Sequence, residues 1–189
     1  DGNENPYAPS QGVLEALARP QPYNRYPDPR QRELRACVAL NAGFSMDWIV
    51  MGAGSDELIE LILRLFVEPG ERIVLPVPTF GMYRFSAEIL GGEVVSIPRL
   101  EDSSLDATKI LAAMGDPKTK IIFLASPNNP TGNLVEIEAI KRFAETGKIV
   151  VVDEAYYEFA NETASGLLAQ YPNLIILRTF SKWAGLAGL

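Results

Sequence analysis

The chain has 189 residues, and 47% of them are hydrophobic, which is typical of a globular protein with one sizeable core. Its formal net charge of −7 argues against a surface that binds nucleic acid or an anionic membrane. The sequence contains no histidine and one cysteine, which excludes a histidine base, a metal site built on histidine or several thiolates, and an intrachain disulfide. The single cysteine also favours a reducing, cytoplasmic location.

The first 30 residues are rich in proline, asparagine, glutamine and tyrosine, and they predict an extended arm with a short helix near residues 12–18. A helix is predicted over residues 32–40, in which Cys37 is expected to have an inert packing role. Residues 48–51 predict a short strand. The glycine-rich turn at residues 52–54 then leads into a helix, with Ser55 as its expected N-cap.

This next helix is predicted to be amphipathic, because four of its apolar residues have the spacing of one helical face: Leu58, Leu61, Ile62 and Leu65. Pro69 and Gly70 are expected to end it. Further helices are predicted over residues 81–90, 105–114 and 134–145.

Strands are predicted at residues 73–75, 93–97, 121–124, 149–152 and 174–177. Pro76 and Pro78 are expected to break the first of these strands. The alternation of strands and helices predicts an α/β fold with a mostly parallel sheet sandwiched by helices. The apolar runs lack a period-two alternation, which fits strands that are buried on both faces. No apolar run approaches the roughly 20 residues that span a bilayer.

Three polar clusters directly follow predicted strands: residues 126–132, residues 153–156, and Ser181 with Lys182. Ligands of an open parallel sheet bind beyond the carboxyl ends of its strands. The clusters would therefore bring an amide, a carboxylate with a phenol, and an amine to one crevice. This set suits a pyridine-aldehyde cofactor that is held as an imine.

Lys182 and Asp153 are the candidates for the central chemistry. The amine of Lys182 can form a Schiff base if its surroundings keep part of it neutral, although a lysine after a strand is also an ordinary solvated charge. Asp153 ends a buried strand and needs a partner, which is a backbone N–H, an arginine, or a pyridinium nitrogen that it keeps protonated. Tyr156 can project beside it as a phenol donor.

The remaining candidates each have a structural alternative. Asn129 could donate to a ring oxygen or serve only the turn, and Phe80 could stack on a ring or belong to the core. Ser55 and Asp56 open a helix whose N–H groups could bind phosphate, although acidic residues also favour a first turn. The hydroxyls of Thr179 and Ser181 could hold the same phosphate or cap a turn.

Taken together, these residues resemble the fold-type-I aminotransferases that depend on pyridoxal 5'-phosphate (PLP), and most closely the histidinol-phosphate aminotransferases. The Asn3-Glu4-Asn5-Pro6-Tyr7 start points to that group. The other segments follow in the family's order: Arg25-Tyr26-Pro27-Asp28, residues 52–57, residues 78–83, residues 126–132, residues 153–156 and residues 178–182.

The resemblance implies a role for each candidate. Lys182 would be the catalytic residue that holds the cofactor and shuttles the proton, and Asp153 would pair with the ring nitrogen. The other cofactor contacts would come from Asn129 and Tyr156 at the ring hydroxyl, Phe80 on the ring face, and Ser55, Asp56, Thr179 and Ser181 around the phosphate. Tyr26 would reach the cofactor phosphate of a partner subunit and Tyr7 would face the substrate, which implies a homodimer with shared active sites.

The implied reaction is amino transfer between L-histidinol phosphate and 2-oxoglutarate, which gives imidazole-acetol phosphate and glutamate in histidine biosynthesis. Residues 1–30 would be an N-terminal arm that contacts the partner subunit, and residues 31–189 would be the PLP-binding large domain, incomplete at its C-terminal end. The family's C-terminal small domain is expected to be missing, so that the chain alone would lack full activity.

Two other interpretations, and a close variant of the first, remain open. Threonine-phosphate decarboxylase of cobalamin synthesis shares the motifs and the cofactor, but it releases carbon dioxide and needs no oxo-acid acceptor. A broad aromatic aminotransferase is a near neighbour of the first interpretation. Alternatively, the chain is a truncated dimerising or regulatory module, for which no imine on Lys182 is expected.

Overall fold

One five-stranded sheet with helices on both faces forms the protein in a computed structural model that describes residues 2–189. The strands are β1 (Arg72–Val77), β2 (Glu93–Pro98), β3 (Thr119–Ala125), β4 (Ile149–Asp153) and β5 (Leu174–Leu177). The helices are α1 (Gln11–Leu17), α2 (Arg32–Ala42), α3 (Gly54–Phe66), α4 (Met82–Ile89), α5 (Ala107–Met114), α6 (Ile137–Ala144) and α7 (Tyr157–Ala160). No helix within residues 2–189 has the length and apolar character to cross a membrane.

The strand order is β2-β1-β3-β4-β5, and every pairing is parallel. The chain adds β2 on one side of β1 and then returns to add β3 on the other side. The order therefore reverses between β1 and β3, and such a switch point is where open α/β sheets form their ligand crevice. This architecture confirms the predicted α/β class and the parallel sheet.

Successive residues of the central strands enter two different cores. In β3, Ile121 and Phe123 pack towards α3 and α4, whereas Ile122 and Leu124 pack towards α5 and α6. Both sets are fully buried, which explains why the sequence of β3 is apolar throughout rather than alternating. The sheet is thus held between two helical layers, and its carboxyl edge is left for the site.

The strand predicted at residues 48–51 is wrong. Met46–Trp48 forms a 3₁₀ turn, and its start is capped by Ser45, which accepts from the N–H of Asp47 at 3.4 Å. The guanidinium of Arg35 donates to the carbonyls of Ile49 and Met46, at 2.8 Å each. These carbonyls are therefore satisfied by a side chain of α2 instead of by a neighbouring strand.

The buried face of α3 also differs from the predicted one. Ile59, Ile62 and Leu63 are buried against the sheet, whereas Leu61 and Leu65 are exposed. Two apolar stripes overlap on this helix, and sequence spacing alone does not tell which of them meets the sheet.

Three smaller predictions are also corrected. The helix begins at Gly54, so Ser55 lies in its first turn and is not the N-cap. Pro76 lies inside β1, where its missing N–H is tolerated because only Arg72, Ile73 and Val74 of β1 pair with β3. Cys37 is exposed, because α2 buries its Ala39 instead.

Truncation of Phe143 tests the packing of α6 on the sheet. Phe143 is fully buried in the core, and Phe143→Ala is expected to lower the free energy of unfolding by about 3–5 kcal/mol in chemical denaturation. Phe159→Ala makes the same change at an exposed position and is expected to cost less than about 1 kcal/mol. Equal decreases in the free energy of unfolding of the two variants would contradict the placement of Phe143 in the core.

Candidate functional site

A pocket of about 250 Å³ lies at the carboxyl edge of the sheet; it is called the edge pocket below. Segments that follow β1, β3, β4 and β5 meet the first turn of α3 there. The edge pocket brings together the predicted residues Ser55, Asp56, Phe80, Asn129, Asp153, Tyr156, Thr179, Ser181 and Lys182.

Lys182 lies in the segment that follows β5, and its side chain is half-buried. Its Nζ is 3.2 Å from the carbonyl oxygen of Gly2, 3.4 Å from that of Asn3 and 5.9 Å from the ring centre of Tyr156. Among residues 2–189, no carboxylate forms an ion pair with this amine. The amine thus donates to two backbone carbonyls of the N-terminal segment, and no charged partner among these residues competes with a ligand of the edge pocket for it.

Asp153 is the last residue of β4, and only 5% of it is exposed. Its carboxylate accepts from the hydroxyl of Tyr83 at 2.6 Å and from the N–H of Ala155 at 3.0 Å. Burial raises the pKa of Asp153 above its ordinary value of 3.8, and these two hydrogen bonds oppose that rise. In the described part of the chain, no lysine or arginine forms an ion pair with it. A buried carboxylate of this kind favours a cationic ligand such as a protonated pyridine nitrogen.

The turn after β3 is tied to the loop that carries Phe80. The side chain of Asn128 is buried; it accepts from the hydroxyl of Thr79 at 2.8 Å and donates to the carbonyl of Pro78 at 3.1 Å. Asn128 is thus occupied by the protein itself, and its neighbour Asn129 is the amide that lines the edge pocket. The role predicted for Asn129 stays a prediction, but its position in the pocket is compatible with it.

The first turn of α3 and the segment after β5 provide groups suited to an anion. Gly54 has φ of +78°, a left-handed conformation that glycine adopts easily, and it sets the direction in which α3 starts. The N–H groups of a first helical turn lack partners within the helix, so those of Ser55 and Asp56 can bind phosphate oxygens. Thr179 donates to the hydroxyl of Ser181 at 2.9 Å and lines the pocket with it.

An ion pair between a partly exposed arginine and a buried carboxylate, which sequence patterns did not reveal, holds two of these loops together. Glu154 is 1% exposed, and Arg178 lies 2.9 Å from its carboxylate. Thr163 also donates to this carboxylate at 2.9 Å, and the N–H of Ala164 does so at 2.7 Å. The pair therefore links the segment after β4 to the residue that follows β5. An acidic residue next to Asp153 was a signal that a cation must lie nearby.

Tyr7 and Tyr26 are the predicted site residues that do not line the edge pocket. Both are exposed, and Tyr26 is fully so. The segment before Tyr7 nevertheless reaches the site, because the amide of Asn5 donates to the carbonyl of Lys182 at 2.8 Å. The backbone carbonyl of Tyr7 lies so close to Gly185 that a Cβ there would be 3.0 Å from it. The roles of the two tyrosines stay predictions.

The chain is similar to one protein family along its whole length. The family model "Aminotransferase class I and II" matches residues 1–189. The chain is 47% identical over 189 residues to histidinol-phosphate aminotransferase of Dehalococcoides mccartyi (strain CBDB1), a match that covers 100% of the chain and 52% of that relative. It is 47% identical over 191 residues to the chloroplastic histidinol-phosphate aminotransferase of Nicotiana tabacum, covering 100% of the chain and 46% of that relative.

A solved structure of the same family is also similar to the chain in fold. The crystal structure of histidinol-phosphate aminotransferase from Sinorhizobium meliloti in complex with pyridoxal-5'-phosphate has a TM-score of 0.89 and 33% sequence identity. The match covers 98% of the chain and 52% of that structure. The chain thus spans about half the length of the relatives that it matches.

The raised pKa of Asp153 makes stability without a bound ligand depend on pH. A carboxyl whose pKa is raised on folding stabilises the fold at pH values below its unfolded pKa, and this contribution is lost as pH rises through the folded pKa. Asp153→Asn removes the titration, so the melting temperature of the variant minus that of wild type is expected to increase as pH rises from about 4 to 8.

Asp102→Asn is a control for which the melting-temperature difference is expected to change with pH in the opposite direction. Hydrogen bonds from Ser104 lower the pKa of Asp102, so its contribution is present above the unfolded pKa and lost as pH falls. The corresponding difference in melting temperature is expected to decrease as pH rises towards the unfolded pKa of about 4 and to stay constant above it. A difference for Asp153→Asn that does not change with pH would contradict the burial of a carboxyl without a cationic partner.

Proposed function

The chain belongs to the class I and II aminotransferases, and from this premise we propose that the protein containing it transfers an amino group between L-histidinol phosphate and 2-oxoglutarate, in histidine biosynthesis. The observation that carries the proposal is the edge pocket, where an amine with no ion-pair partner among the described residues lies with a buried carboxylate, a phenol and an amide. The names of relatives that are 47% identical over the whole chain support the choice of amino donor.

The prediction of PLP as cofactor is confirmed by the family match and by the structural relative that is described in complex with it. When bound, PLP supplies an electron sink that stabilises negative charge at the substrate's α-carbon. The residues of the edge pocket fit this group. Asp153 would hold the proton on the ring nitrogen, Asn129 and Tyr156 would donate to the ring hydroxyl, and Phe80 would pack on the ring.

The phosphate of the cofactor would be bound at the other end of the edge pocket. Ser55 and Asp56 would contribute backbone N–H groups, which also lie at the positive end of the α3 dipole. Thr179 and Ser181 would contribute hydroxyls. The hydrogen bond between those two hydroxyls, 2.9 Å long, places them side by side, and Ser181 keeps its own proton for an anion.

Lys182 is the proposed catalytic residue. Its amine would hold the cofactor at its aldehyde group and would move the proton at the substrate's α-carbon. The chain contains no histidine, so this proton transfer cannot be assigned to an imidazole of the chain. The hydrogen bond from Asn5 to the carbonyl of Lys182 fixes the backbone from which the amine projects.

The proposal extends to assembly. Residues 1–30 would be an arm that contacts a second subunit, and residues 31–189 would be the PLP-binding large domain. Tyr26 would act on the phosphate of the partner subunit's cofactor, and Tyr7 would face the substrate, in a homodimer with shared active sites. The full exposure of Tyr26 in a single chain supports a role that needs a partner. A cytoplasmic location is proposed from the single cysteine.

The substrate is tested with the full-length protein loaded with PLP. Wild type is expected to form glutamate from L-histidinol phosphate and 2-oxoglutarate. Lys182→Arg keeps the charge but loses the proton-transfer group, and it is expected to lower kcat by about 10²–10⁴-fold or more. Lys109→Arg makes the same change on the surface of α5, and its kcat is expected to equal that of wild type.

Two outcomes of this assay would contradict the proposal. Release of carbon dioxide from L-threonine phosphate without an oxo acid would identify the decarboxylase instead. Amino transfer from aromatic amino acids, with none from L-histidinol phosphate, would identify a different amino donor.

A further inference from the structure

We propose that Tyr83 is a positioning residue of the edge pocket, which orients the carboxylate of Asp153 with its hydroxyl and the side chain of Phe80 with its ring. The inference rests on the proposed function, because these are the two groups that would contact the edge and the face of the cofactor ring. Tyr83 itself does not line the pocket and would act only through them.

Tyr83 is fixed from three sides within α4 and is fully buried. Its ring stacks on Phe123 of β3, with centroids 4.9 Å apart and planes at 14°. It meets the ring of Phe80 edge-on, with centroids 5.5 Å apart and planes at 81°. Its hydroxyl donates to the carboxylate of Asp153 at 2.6 Å. The donor therefore has a defined place from which it can hold one carboxylate oxygen.

The hydroxyl is not needed to fill the core. A phenylalanine at this position would have the same ring contacts with Phe80 and Phe123 and would not bury a polar group. A buried tyrosine hydroxyl needs a partner, and here the partner is the carboxylate that faces the pocket. Together with the N–H of Ala155, it gives each oxygen of Asp153 one donor and so fixes the plane of the carboxylate.

The hydrogen bond also affects the charge of Asp153. Burial is the main cause that raises the pKa of Asp153, and the hydroxyl of Tyr83 lowers this pKa; the charges of Asp56 on α3 and Glu154 after β4 raise it further. Tyr156 and Lys182 line the same pocket. Burial and the nearby carboxylate raise the pKa of Tyr83 well above 10, so that it remains a proton donor at neutral pH. Loss of the hydroxyl would make Asp153 easier to protonate.

The test measures the affinity of the full-length protein for PLP as a function of pH. Tyr83→Phe is expected to weaken binding about 10-fold at neutral pH. In wild type, the affinity for PLP is expected to fall at acid pH; this fall is called the acid limb below. In Tyr83→Phe the acid limb is expected to move to higher pH, because Asp153 takes up a proton at a higher pH and then no longer pairs with a protonated ring nitrogen. A purely structural role for Tyr83 would not move this limb.

Two further proteins complete the experiment. Tyr171→Phe removes a hydroxyl from a partly buried tyrosine at the core on the other face of the sheet, and its profile is expected to match wild type. Replacement of Tyr83 by 3-fluorotyrosine keeps the shape and gives a stronger donor, so its acid limb is expected to move to lower pH. This second variant tests the inference even if Tyr83→Phe does not fold.

The outcomes separate this inference from the proposed function. If wild type binds PLP, but neither Tyr83 variant moves the acid limb, the positioning role is overturned and the proposed function stands. If borohydride does not link PLP to Lys182 in wild type, the proposed function itself fails. Movement of the limb in opposite directions by the two variants is the result expected here.

Discussion

The structure of this site depends on a carboxylate that is buried where a central parallel strand ends. Asp153 lies at the last position of β4, between strands on both sides, and burial raises its pKa. Two hydrogen bonds from the protein reduce the free-energy cost of burying the ionised carboxylate, but they bring no positive charge. A cationic ring nitrogen would supply the missing positive charge. The fold therefore positions a buried carboxylate that the family's cofactor would stabilise.

The surrounding loops are held by side chains that do not line the edge pocket. The ion pair between Glu154 and Arg178 joins the loops after β4 and β5, and Asn128 joins the loops after β1 and β3. Tyr83 adds a third link, from the helical layer to Asp153. Because the loops are tied in pairs, the amine, the carboxylate and the amide keep their positions relative to one another, which is what a preorganised site requires.

The sequence predicted the parts of this structure that follow from local pattern. Apolar runs followed by polar clusters identified the strands and, through the rule that parallel strands end at one edge, the residues of the edge pocket that follow β3, β4 and β5. Interactions between distant residues were missed, because nothing in the local pattern shows that Tyr83 faces Asp153 or that Arg178 pairs with Glu154. The strand predicted at residues 48–51 failed for the same reason: Arg35, on another helix, takes its carbonyls. The face of α3 was misassigned because that helix is apolar on more than one side.

Borohydride trapping of PLP tests the central claim most directly. The full-length protein would be mixed with PLP, reduced and digested, and the added mass located by peptide mapping, with Lys182→Arg treated in parallel. One reduced adduct is expected, confined to the peptide that contains Lys182 and absent from the variant. Adducts scattered over surface lysines, or the same pattern in wild type and variant, would contradict it.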